Sequence, residues 1–539
     1  MKLTLDHFAE KLEKISVYVI GGLTGIFACF LSLVSLLHTT SVENITQGNG
    51  SNTSLYHILE SIESVIFRHD SFLWNLILLA ASLCLCFLLL NRKKQLSMKT
   101  ICIGLFLWTV LFGTIWVFSS QSSPSEDSYI VSSAAAECAK GNPFTLADGN
   151  YFKNYSFQLG FVFFLEIIMR IANAMFYPGN LLYLEFINVL CLGVINVNIV
   201  RINDLLFEDK RIAKLSAVLL AFSAAPLVSC SFIYGIIPGM MFAILALYHE
   251  LCYFKKKKAV SAVKSVFCIA LAMLVKPNYL IWLIAMMLLA FVMLFRRKRF
   301  VKDIAYMVAA VSLASLMQPA VKSMYEKRCG ADLGEPVPYV SWIAMGLNES
   351  ADAPGWYNYA YTLTNFGNSD CNAEVASAKS KAVIRDRIRY FVRNPQYAHD
   401  FMYGKIVSQW NETSYESIWN NQVRRQYKPK GRIAAFVCDR GVTAAKRYMD
   451  IFAQLIFFGF AISCVLLLRK KEFLLTPFPL IFLGGFFYQL ISEGKSQYIL
   501  PYFILMTGFA AFGIVRLYEW FLAKAKEKKH KRILQFFGN

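Results

Sequence analysis

Apolar blocks of membrane-spanning length recur along the whole chain. Two examples are "YVIGGLTGIFACFLSLVSLL" (18–37) and "ICIGLFLWTVLFGTIWVF" (101–118). A helical run of about 20 residues crosses the ~30 Å hydrocarbon core of a bilayer. No two-residue alternation is sustained anywhere, and no internal repeat is visible. The pattern predicts an all-α protein, a polytopic membrane helical bundle.

Short basic runs adjoin the ends of these blocks: "NRKK" (91–94), "KKKK" (255–258), "RRKR" (296–299), "RKK" (469–471) and "KAKEKKHKR" (524–532). Cytoplasmic loops of membrane proteins carry such an excess of Lys and Arg. We therefore place all five runs, and both termini, in the cytoplasm. This distribution accounts for the net charge of +20 and argues against a nucleic-acid partner. The first block follows a polar start and lacks a cleavage site, so we expect a retained helix.

About twelve crossings satisfy this assignment, at about 16–38, 73–90, 100–119, 181–203, 213–232, 238–254, 260–276, 278–295, 301–320, 451–468, 475–492 and 497–519. The apolar stretch 157–177 is the exception, because its crossing would put every later basic run outside. It also carries Glu166 and Arg170, four residues apart on one helical face, and ionisable groups are costly in mid-membrane. We predict a juxtamembrane helix on the outer side. The alternative is an ordinary spanning helix with an internal ion pair.

The crossings divide the chain into four predicted parts. These are two extra N-terminal transmembrane helices (1–99), a membrane core (100–320) with an acidic outer loop (120–157) and the juxtamembrane helix (157–177), a small helical extracytoplasmic domain (321–450), and C-terminal transmembrane helices with a basic cytoplasmic tail (451–539). Four of the 13 cysteines fall in outer loops. A disulfide between Cys329 and Cys371 is possible, although spacing alone cannot establish it. No CxxC or HxxxH spacing indicates a structural metal.

Three polar groupings fall on the outer side in this topology: Glu126 with Asp127, Lys276 with Asn278, and the late group Glu493, Lys495, Gln497 and Tyr498. A carboxylate can accept a proton from an attacking hydroxyl, and nearby cations can hold a phosphate as it leaves. These residue types suit group transfer from a phosphate-bearing lipid.

Plainer interpretations stay open for each grouping. The acids of "SPSED" could cap a helix, Lys276 could reach toward lipid headgroups, and Glu493 could pair with Lys495 at the surface. The pair of Glu166 and Arg170 fits a structural role better than a catalytic one.

The order of these pieces resembles the GT-C class of integral membrane glycosyltransferases, which includes protein O-mannosyltransferases and transferases that put aminoarabinose on lipid A. Their outer acidic loop leads into a segment like Tyr-Phe-x-x-Tyr-Pro-x-Gln-x-Gly, and here "YFKNYSFQLG" spans Tyr151 to Gly160. "KPN" (276–278) and "EGKSQYILPY" (493–502) resemble two later motifs of the class. Two positions depart from the class. Ser156 stands where the first motif usually has Pro, and Gln497 stands where Arg is common before Tyr498. The similar region begins only near residue 100.

This resemblance implies that Asp127, beside Glu126, is the catalytic base, and that the donor is a polyprenyl-phosphate-linked sugar. The acceptor would be an envelope glycan, lipid or protein. The implied substrate-binding residues are Tyr151, Lys153, Gln158, Arg170, Lys276, Asn278, Glu493, Lys495 and Tyr498. No cofactor is indicated, although a divalent metal stays possible. Membrane lipids would surround the protein, and the Lys bias favours a bacterial plasma membrane.

Two other functions compete with this one. A polysaccharide polymerase or ligase of the envelope also has about twelve helices and one large late outer loop, and would rely on Arg385, Arg387 and His399 there. A lipid or solute transporter would need ionisable or helix-breaking positions near the bilayer midplane, often in repeated halves. A polar cavity confined to the outer side would favour the transferase, and a cavity open through the middle would favour transport.

Overall fold

Helices dominate the computed structural model, which describes residues 2–45, 62–92, 96–176, 179–297 and 299–537. Before the acidic loop lie α1 (Lys2–Leu37), α2 (Phe72–Asn91) and α3 (Met98–Ser120), with two strands between α1 and α2, β1 (His38–Ile45) and β2 (Ile62–His69). The loop and the region after it contain α4 (Glu126–Ala139), α5 (Tyr151–Asn154) and α6 (Leu159–Met175).

The middle of the chain forms a series of long apolar helices. These are α7 (Leu182–Phe207), α8 (Lys210–Phe222), α9 (Ala224–Val228), α10 (Ile236–Lys256), α11 (Ala259–Val275), α12 (Leu280–Arg297) and α13 (Phe300–Cys329). Shorter helices then fill the predicted outer domain: α14 (Tyr339–Gly346), α15 (Asn365–Gly367), α16 (Ala373–Arg393), α17 (Pro395–Trp410), α18 (Ser417–Val423) and α19 (Arg432–Ala435). The chain ends with α20 (Val442–Lys470), α21 (Pro477–Ile491) and α22 (Leu500–Phe537).

Ten described helices are long and apolar enough to cross a membrane, or eleven if the bent pair Lys210–Phe222 and Ala224–Ser231 is one span. Two further apolar helices, Ala259–Val275 and Pro477–Ile491, are shorter. Each of the twelve predicted crossings coincides with one of these helices. The helical bundle is thus confirmed, whereas the count of twelve stays a prediction.

The segment Ser156–Met175 is among the ten, although we expect it not to cross. The helices before and after this segment indicate whether it crosses. Helices α3 and α7 run antiparallel, since Gly113 faces Val189 while Phe106, earlier on α3, faces Gly193, later on α7. The end of α3 and the start of α7 therefore lie at the same end of the bundle. This packing is the geometry that a juxtamembrane helix requires, and the juxtamembrane position itself stays a prediction.

A two-stranded ribbon is an exception within the predicted all-α fold. Strands β1 and β2 pair antiparallel from His38 opposite His69 to Ile45 opposite Ile62. The ribbon packs on the predicted outer domain, where Val42 and Val65 join a small apolar cluster that includes Trp356 and Trp419. Each strand is only eight residues long. Strand β1 is mostly polar, and the four apolar residues of β2 do not alternate regularly with its polar ones, so neither strand shows a sustained pattern.

Helix α13 runs nine residues past its predicted end at 320, so the outer domain begins later than expected. The possible disulfide is absent as well, because Cys329 and Cys371 are both free thiols. Buried tryptophans anchor the outer domain. Trp356 joins the cluster beside the ribbon, and Trp410 packs on Phe482 and Phe486 of the membrane bundle.

Described residues of two predicted cytoplasmic runs pair with acids at or near the ends of other helices. Lys255 pairs with Glu208 at 3.2 Å, and Arg296 pairs with Glu13 near the N-terminus at 3.0 Å. Helix α11 begins beside the 255–258 run and ends at Val275, so the residue that follows it, Lys276, lies at the opposite end. This is the arrangement that a common cytoplasmic side requires, and the cytoplasmic location of the termini stays a prediction.

Candidate functional site

A cavity of about 620 Å³ lies at the end of the bundle opposite the basic runs. Its walls come from the ends of the long helices, the acidic loop, the ribbon and the outer domain. Eight of the predicted site residues line it: Glu126, Asp127, Gln158, Lys276, Asn278, Glu493, Lys495 and Tyr498. Lining residues are drawn from loops and helix ends, and none comes from the middle of a candidate span.

The acids of the outer loop occupy the first turn of α4, where the helix N-terminus favours negative charge. Ser128, one residue after Asp127, donates a hydrogen bond of 2.7 Å to the Ile233 carbonyl and fixes this turn to the opposite wall. Glu126 has a φ of 50°, a left-handed conformation that is unfavourable for a side chain with a Cβ. Ser125 makes no capping hydrogen bond with its side chain. Both acids are exposed toward the cavity, so a capping role alone does not account for the turn.

Lys276 is 6% exposed and points into the cavity, so it does not reach toward lipid headgroups. Its ammonium lies 3.9 Å from the centre of the Tyr234 ring and 5.6 Å from that of Tyr498. Burial lowers the pKa of Lys276 to about 8, and the Asp127 and Glu493 carboxylates partly oppose this shift. Among the described residues no carboxylate lies within 4 Å of the Lys276 ammonium. Its charge is therefore only partly balanced by the protein.

The late polar group is more elaborate than a surface pair. Lys495 contacts Glu63 of the ribbon at 3.0 Å and Glu416 of the outer domain at 3.6 Å. No ion pair joins Glu493 to Lys495 within the described part of the chain, so that interpretation is wrong. Burial raises the pKa of Glu493 to about 7 and that of Glu416 to about 8. Tyr498 donates a hydrogen bond to Glu493 at 3.3 Å.

Three predicted binding residues do not line the cavity. Arg170 pairs with Glu166 at 2.8 Å and donates to the Cys138 carbonyl. The ion pair expected within 157–177 is therefore present, and Arg328 of α13 joins it at 2.8 Å. Arg170 thus ties α6 to its neighbours and contacts no cavity group.

Tyr151 lies next to Asp127. Burial and the Asp127 carboxylate raise the pKa of its phenol. Lys153 is exposed and lies near Asp332, away from the cavity. Gln158, by contrast, lines the cavity, and it donates a 3.0 Å hydrogen bond to the hydroxyl of Tyr234, whose ring lies beside Lys276.

Sequence reasoning missed four charged lining residues: Glu63, Asp352, Glu416 and Arg424. They belong to the ribbon and the outer domain, whose approach to the membrane core is not visible in the chain order. In the run "NETSYESIWNN" (411–421), two acids stand in a stretch that the fold buries throughout, and nothing in the run itself marks that burial.

A buried lysine of the outer domain holds the late loop in place. Lys405 donates to the Ser492 carbonyl at 2.6 Å and also to the Gly346 carbonyl. Burial lowers its pKa to about 7. Through these two carbonyls Lys405 positions the backbone that leads into Glu493 and Lys495.

One wall of the cavity is aromatic. Trp342 lies 6.2 Å from Tyr155 and 6.4 Å from Phe157, measured between ring centres. Tyr339 also lines the cavity, and its hydroxyl donates a 2.5 Å hydrogen bond to the Tyr488 hydroxyl. Flat rings of this kind suit the faces of sugars or the unsaturated units of a prenyl chain. The cavity therefore combines an aromatic wall with charged side chains such as Asp127 and Lys276.

Within the described ranges, no cluster of three or more His, Cys, Asp or Glu side chains is arranged to hold a metal ion. The carboxyl groups of the cavity instead lie near cations or are separated from one another.

Neither a scan against protein-family models nor a search of the curated proteins finds a match for this chain. The fold and the cavity therefore define the class. The chain is a multi-pass helical membrane protein with a charged, partly aromatic cavity at one end of its bundle.

Proposed function

We propose that this protein is a membrane glycosyltransferase that moves a sugar from a polyprenyl-phosphate-linked donor to an acceptor hydroxyl of the cell envelope. One observation carries the proposal. Asp127, from an outer loop, shares a cavity with Lys276, a buried cation from a distant helix end. The resemblance to the GT-C class, which assigns the same two positions to the base and the donor contacts, agrees with it.

The proposed chemistry uses the opposite charges of Asp127 and Lys276. Asp127 takes the proton of the acceptor hydroxyl, whose oxygen bonds to the anomeric carbon of the sugar. The bond from that carbon to the phosphate oxygen breaks, and the lipid phosphate leaves with the electron pair. Lys276 stabilises the charge that develops on the phosphate, which is the larger part of such catalysis. Lys495 contributes less because the side chains of Glu63 and Glu416 already contact its ammonium.

The aromatic wall gives the donor a place to lie. Trp342, Tyr155 and Phe157 face the cavity beside Lys276, so a prenyl chain or a sugar face would contact rings while the phosphate meets the ammonium. The outer plasma-membrane leaflet of a bacterium is the location that fits a lipid-linked donor of this type.

A polymerase or ligase fits less well, because the residues it would use lie elsewhere. Arg387 packs against four aromatic rings and donates to the Leu347 carbonyl at 2.6 Å. Arg385 and His399 are exposed and pair with neighbouring acids. None of the three lines the cavity.

A transporter also fits less well. Such a protein exposes its site to both sides of the membrane in turn. Here the cavity is confined to one end of the bundle, and the middle of α10 and α22 is packed with buried apolar side chains.

The test is transfer by the full chain in membranes, with a polyprenyl-phosphate sugar as donor and mass spectrometry of envelope glycans as readout. Asp127→Asn should insert normally and lose transfer by a factor of about 10² or more. Asp148→Asn is the matched control, because Asp148 belongs to the same loop and does not line the cavity. Wild-type turnover by Asp127→Asn would remove Asp127 from the mechanism.

A further inference from the structure

Two buried cations of the cavity stand at the ends of a stack of aromatic rings. The Lys276 ammonium lies 3.9 Å from the centre of the Tyr234 ring, and the Arg424 guanidinium carbon lies 3.8 Å from that of Phe232. The two rings stack on each other, with centres 5.1 Å apart and planes 18° apart. The aromatic pair thus holds one cation from the membrane core and one from the outer domain beside the same cavity.

Arg424 is 5% exposed, yet its hydrogen-bonding capacity is only partly used. It donates to the Ser231 carbonyl at 3.2 Å and to the Asn420 side chain at 2.9 Å. A guanidinium carries five N–H donors, so others are left without a described protein acceptor. Because Arg424 lines the cavity, these donors are available to a ligand there.

The charge of Arg424 is balanced only at a distance. Glu185, Glu126 and Glu416 act on it electrostatically, but in the described part of the chain no carboxylate lies within 4 Å of its guanidinium. Lys495 differs, since Glu63 and Glu416 both lie within that distance. A buried cation without a close counter-ion favours an anionic ligand, because burial without a partner is costly.

Backbone pairing places Arg424 beside the loop that carries Asp127. Ser122 forms an isolated β-bridge with Gln426, and the Ser123 amide donates a 2.8 Å hydrogen bond to the Arg425 carbonyl. The outer domain therefore sets the position of Arg424 relative to that loop through the main chain. A shift of the outer domain would move this cation and the acidic loop together.

We propose that Arg424 and Lys276 form one binding site for the phosphate of an anionic ligand, which bridges the outer domain and the membrane core. This inference rests on the proposed function, in which the phosphate belongs to a polyprenyl lipid. A guanidinium binds phosphate oxygens through two parallel N–H donors, whereas an ammonium acts as a point charge. Arg424 orients the phosphate, and Lys276 contributes charge beside Asp127.

The test measures binding to the purified full chain in detergent with three probes: polyprenyl phosphate, the neutral polyprenol of the same length, and inorganic phosphate. The wild-type protein should bind polyprenyl phosphate at least about tenfold more tightly than polyprenol. Arg424→Gln should lose about tenfold or more of that affinity, and Arg424→Lys should lose less. Arg425→Gln is the matched control, because Arg425 is the exposed neighbour and lies outside the cavity.

Binding of polyprenol reports whether each variant is folded, since this probe does not need the phosphate site. Equal affinity of Arg424→Gln and Arg425→Gln for polyprenyl phosphate would overturn the proposal, as would a wild-type protein that does not distinguish phosphate from alcohol. If Arg424→Gln loses polyprenol binding too, the Arg424→Lys variant decides. Wild-type affinity of Arg424→Lys for polyprenyl phosphate supports a need for positive charge at this position. If Arg424→Lys binds polyprenol normally but no longer prefers polyprenyl phosphate, the result supports bidentate contact by the guanidinium.

The two proposals can fail separately. Inorganic phosphate that binds through Arg424 as tightly as the lipid supports the site and removes the lipid from the proposed donor. Lipid binding that depends on Lys276 but not on Arg424 overturns the site and leaves the transferase standing. Binding through both residues without any sugar transfer supports the site and contradicts the proposed function.

Discussion

The Glu63 carboxylate and the Lys495 ammonium lie 3.0 Å apart, although 432 positions separate them in the chain. Their side chains are only 14% and 18% exposed, and Glu416 joins them from the outer domain. The contact fastens the ribbon, the outer domain and the loop before α22 to one another. We therefore expect this cluster to contribute to stability more than to substrate binding.

Lys495→Met should lower the unfolding temperature in detergent, because it removes the cation that contacts the largely buried side chains of Glu63 and Glu416. Breaking a buried ion pair on one side costs about 3–5 kcal/mol. Arg68→Met is the control on the same ribbon, since the exposed pair of Arg68 and Glu43 should be worth no more than about 1 kcal/mol. Equal losses of stability in the two variants would show that Lys495 stabilises the fold no more than an exposed ion pair does.

The pH dependence of donor binding follows from two groups of the cavity. Burial raises the pKa of Glu493 to about 7 and lowers that of Lys276 to about 8. As the pH rises through these values, Glu493 gains a negative charge and Lys276 loses its positive charge. A sugar phosphodiester keeps one negative charge throughout, so its affinity should fall from about pH 6 to about pH 9.

Titration of donor binding at constant ionic strength checks this expectation. Glu493→Gln should abolish the part of the fall centred near pH 7 and leave the part near pH 8. Asp127, Lys495 and Tyr498 also face Glu493, so the variant must be compared with the wild-type protein at each pH. A donor affinity that is flat across the range would contradict the assignment of the phosphate to Lys276.

Much of the architecture was predictable because its signals are local. Each apolar block is long enough to mark a helix, and each basic run marks the side on which a block ends. Once the sides are assigned, outer turns such as those at Lys276 and Glu493 must lie at the same face. Their convergence with Asp127 in one cavity depends in addition on how the helices pack, which the topology does not specify.

The remainder depends on contacts between distant segments. Arg424 and Arg425 are neighbours of the same type, and only the fold makes one buried and the other exposed. Glu63 stands in a short strand whose burial comes from Trp419 and Trp356 of the outer domain. No periodicity within either segment records these partners, so the acidic and cationic residues of the ribbon and outer domain were missed.

Gly160 ends the predicted juxtamembrane motif and allows α6 to approach α11. A Cβ at this position would lie 1.9 Å from the Leu274 carbonyl oxygen, which is main chain and cannot rotate away. Gly160→Ala should therefore displace α6, lower stability by about 1–3 kcal/mol and move the nearby Gln158 away from Tyr234. Thermal unfolding and donor binding measure the two effects.

Gly104→Ala is the control for this prediction. Gly104 also lies within an apolar helix, but no atom would meet its Cβ within 4 Å. Alanine there should be neutral or stabilise the helix by up to about 1 kcal/mol. Equal behaviour of the two variants would show that the approach of α6 to α11 does not limit stability.

The side on which α6 begins and ends can be tested by cysteine labelling. Lys140→Cys precedes α6 and Asn180→Cys follows it, and both positions are exposed. A juxtamembrane helix puts both on the outer face, so both should react with a membrane-impermeant maleimide in intact cells. Lys257→Cys, in the basic run after α10, should react only after permeabilisation. The background should carry Cys371→Ser, because Cys371 is exposed in the outer domain.

Opposite behaviour of the two flanking positions would identify α6 as a spanning helix with an internal ion pair. That result would also move every later basic run to the outer face and separate Asp127 from Lys276 by the thickness of the membrane. Such a separation conflicts with their common cavity, in which the Asp127 carboxylate acts on the Lys276 ammonium. The close approach of these two groups is therefore the physical reason to expect both flanks of α6 on one side.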